Sequence, residues 1–354
     1  MSLKSLFEFL HDEYGVSAGE AVDYLHEEYE ISSVISLVPE TSSDASDNDD
    51  EIVLSSMEGT RGADLIIGDI ADNVIRARKG DDMVFGMGGN DKVFGGKGAD
   101  HLIGDFLPSS EDFDEQGYLI QSEGKSFNDT LVGGDGDDIL VDQYGADRLK
   151  GGDGDDRLVS VSDSGTPREN PRVEVGDTLE ELKFSSKFFN PENYESNDRL
   201  TGGDGADVFE WNLLINAPKD IVERNTDAGV IRWGMDGVAG ENNNYHDHWV
   251  DGIGRDVITD FSGKAGEGDQ IVIKGHTVAI ALLSDEDGRA VIGVYSDQGG
   301  DEERGGGAHD FDVLGKIVVF HDDAFDFDVD VEVESVDYGA YGQGSDIFDV
   351  FQFT

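Results

Sequence analysis

The sequence predicts an all-β chain built as a stack of short turn-and-strand units. Three observations predict it. Three stretches, Gly59–Ile103, Gly124–Val159 and Asn193–Glu210, divide into units of nine residues without a slip in register. Across the eleven units the sixth position is Asp ten times and Asn once, and the eighth is apolar every time. Glycine makes up 48 of 354 residues, about twice the usual share, and crowds the first, second and fourth positions. A fixed period of this kind marks a repeat architecture.

Each unit is legible in physical terms. Small residues at positions 1, 2 and 4 permit a tight turn with positive φ. Position 6 leaves that turn as a hard oxygen ligand: Asp64, Asn73, Asp82, Asp91 and Asp100 in the first run, Asp129, Asp138, Asp147 and Asp156 in the second, Asp198 and Asp207 in the third. Position 8 is the inward residue of a very short strand: Ile66, Ile75, Val84, Val93 and Leu102, then Leu131, Leu140, Leu149 and Leu158, then Leu200 and Phe209. One unit buries a single side chain and is not stable alone, whereas stacked units share a thin core. Stacking also brings the carboxylates together, and they repel unless a cation lies among them. Calcium, with 6–8 oxygen ligands at about 2.3–2.6 Å, suits such turns better than the stricter octahedral magnesium.

The units resemble the GGxGxDxUx nonapeptide of the RTX (hemolysin-type calcium-binding) family, most closely at Gly133–Val141, Gly151–Val159 and Gly202–Glu210. The resemblance implies a calcium-stacked parallel β-roll with two nonapeptides per coil and several calcium ions, each between turns i and i+2 on one edge. It pairs Asp64 with Asp82, Asn73 with Asp91, Asp82 with Asp100, Asp129 with Asp147, and Asp138 with Asp156. The sequence departs from the pattern at Ala77-Arg78-Lys79, at Asp142-Gln143 in place of Gly-Gly, at Asn73, and at Phe127 where glycine is expected. Further on, Asp251–Phe261 and Gly268–Ile273 resemble the closing section of the RTX domain in serralysin-type secreted proteins, without a protease domain. That adds Asp256 and Asp269 to the candidate metal ligands.

The remaining elements follow in chain order. Leu3, Leu6, Phe7, Leu10 and Tyr14 recur at helical spacing. After Gly15, Ser17–Glu20 is a capping box that opens a second helix. Residues 1–39 are therefore expected to form a helical cap, and the acidic, polar residues 40–58 a linker. The roll is expected over 59–275, interrupted by insertions at 104–123, 160–192 and 211–250. Each insertion carries aromatics, read as local packing or as a shared binding face. His246 and His248, flanking Asp247, form a polar loop or the start of a transition-metal site. Strands are expected at Thr277–Leu283, Ala290–Tyr295 and Lys316–Phe320. The strict alternation of Phe327–Glu334 reads as a one-face-buried strand. Together, residues 276–336 would form a β-rich cap on the open end of the roll. Residues 337–354, acidic then apolar, resemble an uncleaved type I secretion signal.

Composition bounds the function. The formal charge of −54 excludes a phosphate-binding face and disfavours an anionic membrane surface. The absence of Cys excludes disulfides, thiolate metal sites and thiol catalysis. No run of apolar residues is long enough to span a bilayer, and the N-terminus lacks the features of a Sec signal. No serine-hydrolase elbow, zinc-protease helix or phosphate loop occurs, so no catalytic residue is assigned. The charge is not concentrated in the repeats: residues 1–58 carry −14 and residues 251–354 carry −18. The function expected is a secreted, extracellular or cell-surface calcium-binding protein that folds on calcium, with the type I secretion machinery as a partner. The alternatives are a calcium-dependent adhesin or matrix protein that binds polysaccharide or itself, and an RTX-type hydrolase.

Overall fold

The structure, a computed structural model, describes residues 33–36, 55–69, 71–105, 127–142, 144–162, 197–213, 215–216, 226–227, 230–231, 249–250, 252–275, 278–297, 311–322 and 325–335. Two sheets face each other. The first is built from Ser33–Ser36 (β1), Asp64–Ile67 (β3), Met83–Met87 (β5), His101–Asp105 (β7), Ile139–Asp142 (β9), Arg157–Val161 (β11), Val208–Leu213 (β13), Gln270–Gly275 (β19) and Val331–Ser335 (β23), in that order. The second begins with Ser55–Glu58 (β2), Asn73–Lys79 (β4), Lys92–Lys97 (β6), Thr130–Asp135 (β8), Arg148–Asp153 (β10), Arg199–Asp204 (β12) and Gly254–Phe261 (β18). It continues through Phe311–His321 (β22), Arg289–Asp297 (β21) and Val278–Glu286 (β20). Ile215–Asn216 (β14) pairs with Trp249–Val250 (β17), and Thr226–Asp227 (β15) with Val230–Ile231 (β16).

The pairing rule is the repeat itself. Each strand pairs in parallel with the strand two units on, as in Leu65↔Met83 and Ile75↔Val93. One coil is therefore two nonapeptides, one strand in each sheet. The inward residues of both sheets meet along one axis. Every position-8 side chain, from Ile66 to Phe209, is at most 1% exposed, and Ile258 and Ile271 extend the column. Fully burying such a side chain is worth about 1.5–3 kcal/mol, and no unit contributes more than one from this position, so stability is gained coil by coil.

The structure moves several boundaries. β7, β11 and β13 run into segments 104–123, 160–192 and 211–250, because the position after each nonapeptide still pairs with the neighbouring coil. β1 lies within the segment read as a helical cap and β2 within the segment read as a linker. They pair with β3 and β4 as the first strands of the two sheets. The proposed helices, most of the linker, most of the three insertions, the His246–His248 loop and residues 337–354 lie outside the described residues.

The C-terminal segment prolongs both sheets. β18 pairs in parallel with β12 and β22, and β22, β21 and β20 continue as an antiparallel meander. β19 pairs with β13, and β23 with β19. The strand expected over Phe327–Glu334 is corrected in its first half. Phe327–Asp330 form a single helical turn (α1), because the Asp326 carboxylate caps it by accepting from Asp328 N at 3.1 Å. The Asp330 carboxylate accepts from Asp326 N at 2.7 Å and from Lys264 N at 3.1 Å, which pins the turn to the roll. β23 starts only at Val331.

Candidate metal centre

The turns between strands stack into two edges, and all thirteen candidate ligands fall on them. On the first edge the backbone N–H of Asp64 donates to Asp82 Oδ1 at 2.7 Å. The same bond runs from Asp82 to Asp100, Asp100 to Asp138, Asp138 to Asp156, Asp156 to Asp207 and Asp207 to Asp269, at 2.7–3.0 Å. On the second edge it runs from Asn73 through Asp91, Asp129, Asp147 and Asp198 to Asp256, at 2.6–3.0 Å. Each of the five i/i+2 pairs expected from the resemblance is one rung of these ladders. The rungs hold across the insertions, so Asp100 meets Asp138 and Asp156 meets Asp207 as directly as sequence neighbours would.

Each rung occupies the Oδ1 oxygen, and the second oxygen separates the turns into two kinds. Among the described residues Oδ2 is buried without a hydrogen-bond partner in Asp82, Asp91, Asp100, Asp129, Asp138, Asp147, Asp156 and Asp207. A buried, unpartnered carboxylate oxygen is costly, and a line of them at tight turns fits a hard, oxygen-seeking cation. Elsewhere the protein supplies the donor. Ser160 Oγ donates to Asp198 Oδ2 at 2.7 Å, Trp211 Nε1 to Asp256 Oδ2 at 2.6 Å, and the Ser262 N–H to Asp269 Oδ2 at 2.7 Å. At the other end Thr60 N donates to Asp64 Oδ2. Asn73, uncharged, exchanges hydrogen bonds with Asp69 at 2.9 Å.

Glycine at position 1 follows from the same geometry. A Cβ built on Gly86 would stand 2.5 Å from Asp91 Oδ2, and one on Gly95, Gly133, Gly151 or Gly202 would collide with the carboxylate five residues on. Ser160 and Trp211 occupy this place before Asp198 and Asp256, where their side chains become the missing donors. Sequence reasoning missed both. Their signal was a non-glycine residue directly after a nonapeptide, and the insertion that follows hides it.

Desolvation governs the charges. Burial pushes Asp82 up to about 6, Asp91, Asp138, Asp156 and Asp207 up to about 7, and Asp100 up to about 8. The rung amide opposes the rise in each case, and neighbouring carboxylates add to it. Asp129 and Asp147 are raised well above the usual range, again chiefly by burial. Asp198 and Asp269 reach about 6, with burial the largest cause and hydrogen bonds opposing it, including those from Ser160 and from Ser262 N. Burial also raises Asp256 well above the usual range, with the neighbouring Asp198 charge adding to it and Trp211 opposing. The ladders are thus poised between protonation and neutralisation by a cation.

Four copies of the RTX calcium-binding nonapeptide repeat match the chain, in residues 56–84, 79–106, 123–159 and 194–210. The chain therefore carries RTX repeats, which imply calcium binding. The rungs at Asp256 and Asp269 lie beyond the matched segments. No curated protein is significantly similar to the chain.

Proposed function

We propose that the chain is a secreted protein whose roll folds when it meets calcium outside the cell. The observation that supports this most is the set of eight buried Oδ2 oxygens without a partner, stacked on two edges. Asp82, Asp100, Asp138, Asp156 and Asp207 on one edge, with Asp91, Asp129 and Asp147 on the other, would hold the ions. Bound calcium would supply positive charge and take these carboxylate oxygens as ligands. The chain's own residues do the rest: the rung amides orient each Oδ1, glycines leave room for the Oδ2 of Asp91, Asp100, Asp129, Asp138, Asp156 and Asp207, and the apolar position-8 side chains keep water out.

In a calcium-poor cytosol the stacked carboxylates and the many glycines oppose the fold, and an unfolded chain can thread a secretion channel. Outside, binding free energy becomes folding free energy. One site at 100 times its dissociation constant adds about 2.7 kcal/mol, so a few sites reach the stability of an ordinary domain, about 5–15 kcal/mol. The test is circular dichroism of the full chain at neutral pH. Most of the β signal is expected to be lost with EGTA and to return with excess calcium. A spectrum indifferent to chelator would overturn the proposal.

A further inference from the structure

Asp105 and Asp142 lie outside the position-6 ladders. Asp105 ends β7 and Asp142 ends β9, two strands that pair at Leu102↔Leu140 and Ile103↔Val141. Carboxylate oxygens of Asp105, Asp129 and Asp142 all lie within 4.8 Å of one another, and all three residues are buried. Asp105 is fully buried and neither of its oxygens has a hydrogen-bond partner. Gly104 sits between the other two: a Cβ there would stand 2.6 Å from Asp142 Oδ1 and would collide with Asp129 Oδ2.

We infer that Asp105 and Asp142 turn the ladder site at Asp129 into a cation site of three carboxylates, stronger than the other repeat turns and placed at the root of the first insertion. The inference rests on the calcium reading of the ladders, and it adds two ligands that the nonapeptide does not provide. A repeat turn brings together two ladder carboxylates, whereas this site gathers three. Affinity for hard cations rises with ligand charge and with site rigidity. The location gives the site a structural task. Asp105 ends the strand that leads into the first insertion and Asp129 immediately precedes the strand that follows it, so a cation held by both ties the two ends of the insertion together, and Asp142 ties both to the next coil. A net ligand charge of −3 also favours a trivalent ion over a divalent one.

Terbium added to the calcium-loaded full chain tests this. Tyr144, buried two residues after Asp142 and in ring contact with Phe127 at 6.1 Å, is placed to sensitise its luminescence. The first equivalent of terbium is expected to give the signal. In Asp105→Asn and in Asp142→Asn it is expected to need at least about tenfold more terbium, with the calcium-loaded β spectrum unchanged. At saturating calcium, the double variant is expected to hold one ion fewer than the wild type by equilibrium dialysis. A first-equivalent signal that survives both substitutions, or an unchanged ion count, would overturn the site and leave the ladder reading standing. A wild-type chain that binds no calcium would overturn both.

Discussion

The turn at Asp138 and the turn at Asp256 are built to one plan and stabilised in two ways. In both, Oδ1 accepts the N–H of the preceding rung, at 2.7 Å from Asp100 and at 2.9 Å from Asp198. In both, an aliphatic residue two places on fills the core. At Asp138 the residue at position 1 is Gly133 and Oδ2 has no partner. At Asp256 it is Trp211, whose indole N–H takes that oxygen. The middle of the roll is left open to a cation, and its C-terminal end is closed by the protein's own donors. One ladder thus holds turns whose second oxygen has no partner and turns whose second oxygen the protein satisfies, the difference being a single side chain per turn.

The largest expected effect follows from this division. In chelator, hydrogen exchange should show Leu102, Leu140 and Leu158 amides exchanging as in an unfolded chain. Amides of the β21–β22 meander, such as Ile292 and Ile317, should keep at least about tenfold more protection. Uniform exchange would erase the distinction.

Acid should partly replace the cation. Burial raises the carboxylates of Asp82, Asp91, Asp100, Asp138, Asp156 and Asp207 to about 6 to 8 in the fold, against about 3.9 when unfolded. Between those values the folded state binds more protons, so metal-free stability falls as pH rises through that window and is fully present only below it. The metal-free chain should show more β signal at pH 5 than at pH 8. The reverse order would refute the assignment of buried charge as the destabilising agent.

Two substitutions should act with opposite sign. Asp138→Asn removes a buried charge and should stabilise the metal-free chain while weakening its response to calcium. Trp211→Phe leaves Asp256 Oδ2 without a donor and should destabilise by about 1–3 kcal/mol with or without calcium, read from urea midpoints. A Trp211→Phe loss seen only in chelator would mean that the Asp256 turn also relies on metal.

The smallest effect concerns backbone strain. Arg78 and Met87 hold positive φ, 85° and 90°, at the position where Gly96, Gly134, Gly152 and Gly203 stand in other units. Arg78→Gly should relieve about 1 kcal/mol of this strain. The exposed Arg78–Glu58 pair that it loses, at 2.8 Å, is worth less than that, so a small net rise in thermal midpoint is expected.

Much of this was legible in the sequence because the fold repeats one local rule. Within each run a contact between position 6 of one coil and position 6 of the next recurs every eighteen residues, so reading one unit reads its neighbours. Asp256 and Asp269 came instead from the resemblance to the closing section of RTX domains, and they take the last rungs of the two ladders. Period counting failed at Phe327–Asp330, where the alternation was that of a strand but Asp326 and Asp330 supplied a cap and an anchor that it does not register.

The sequence by itself determined which side chains face the core and which carboxylates line the edges, since spacing within nine residues settles both. The tertiary structure alone decided which of those carboxylates the protein satisfies for itself. Ser160 reaches Asp198 and Trp211 reaches Asp256 across insertions, 38 and 45 residues on, and Asp105 meets Asp129 and Asp142 the same way. Such meetings depend on where the chain leaves and rejoins the roll. No local period encodes that, because it is set by the pairing of strands on either side of each gap.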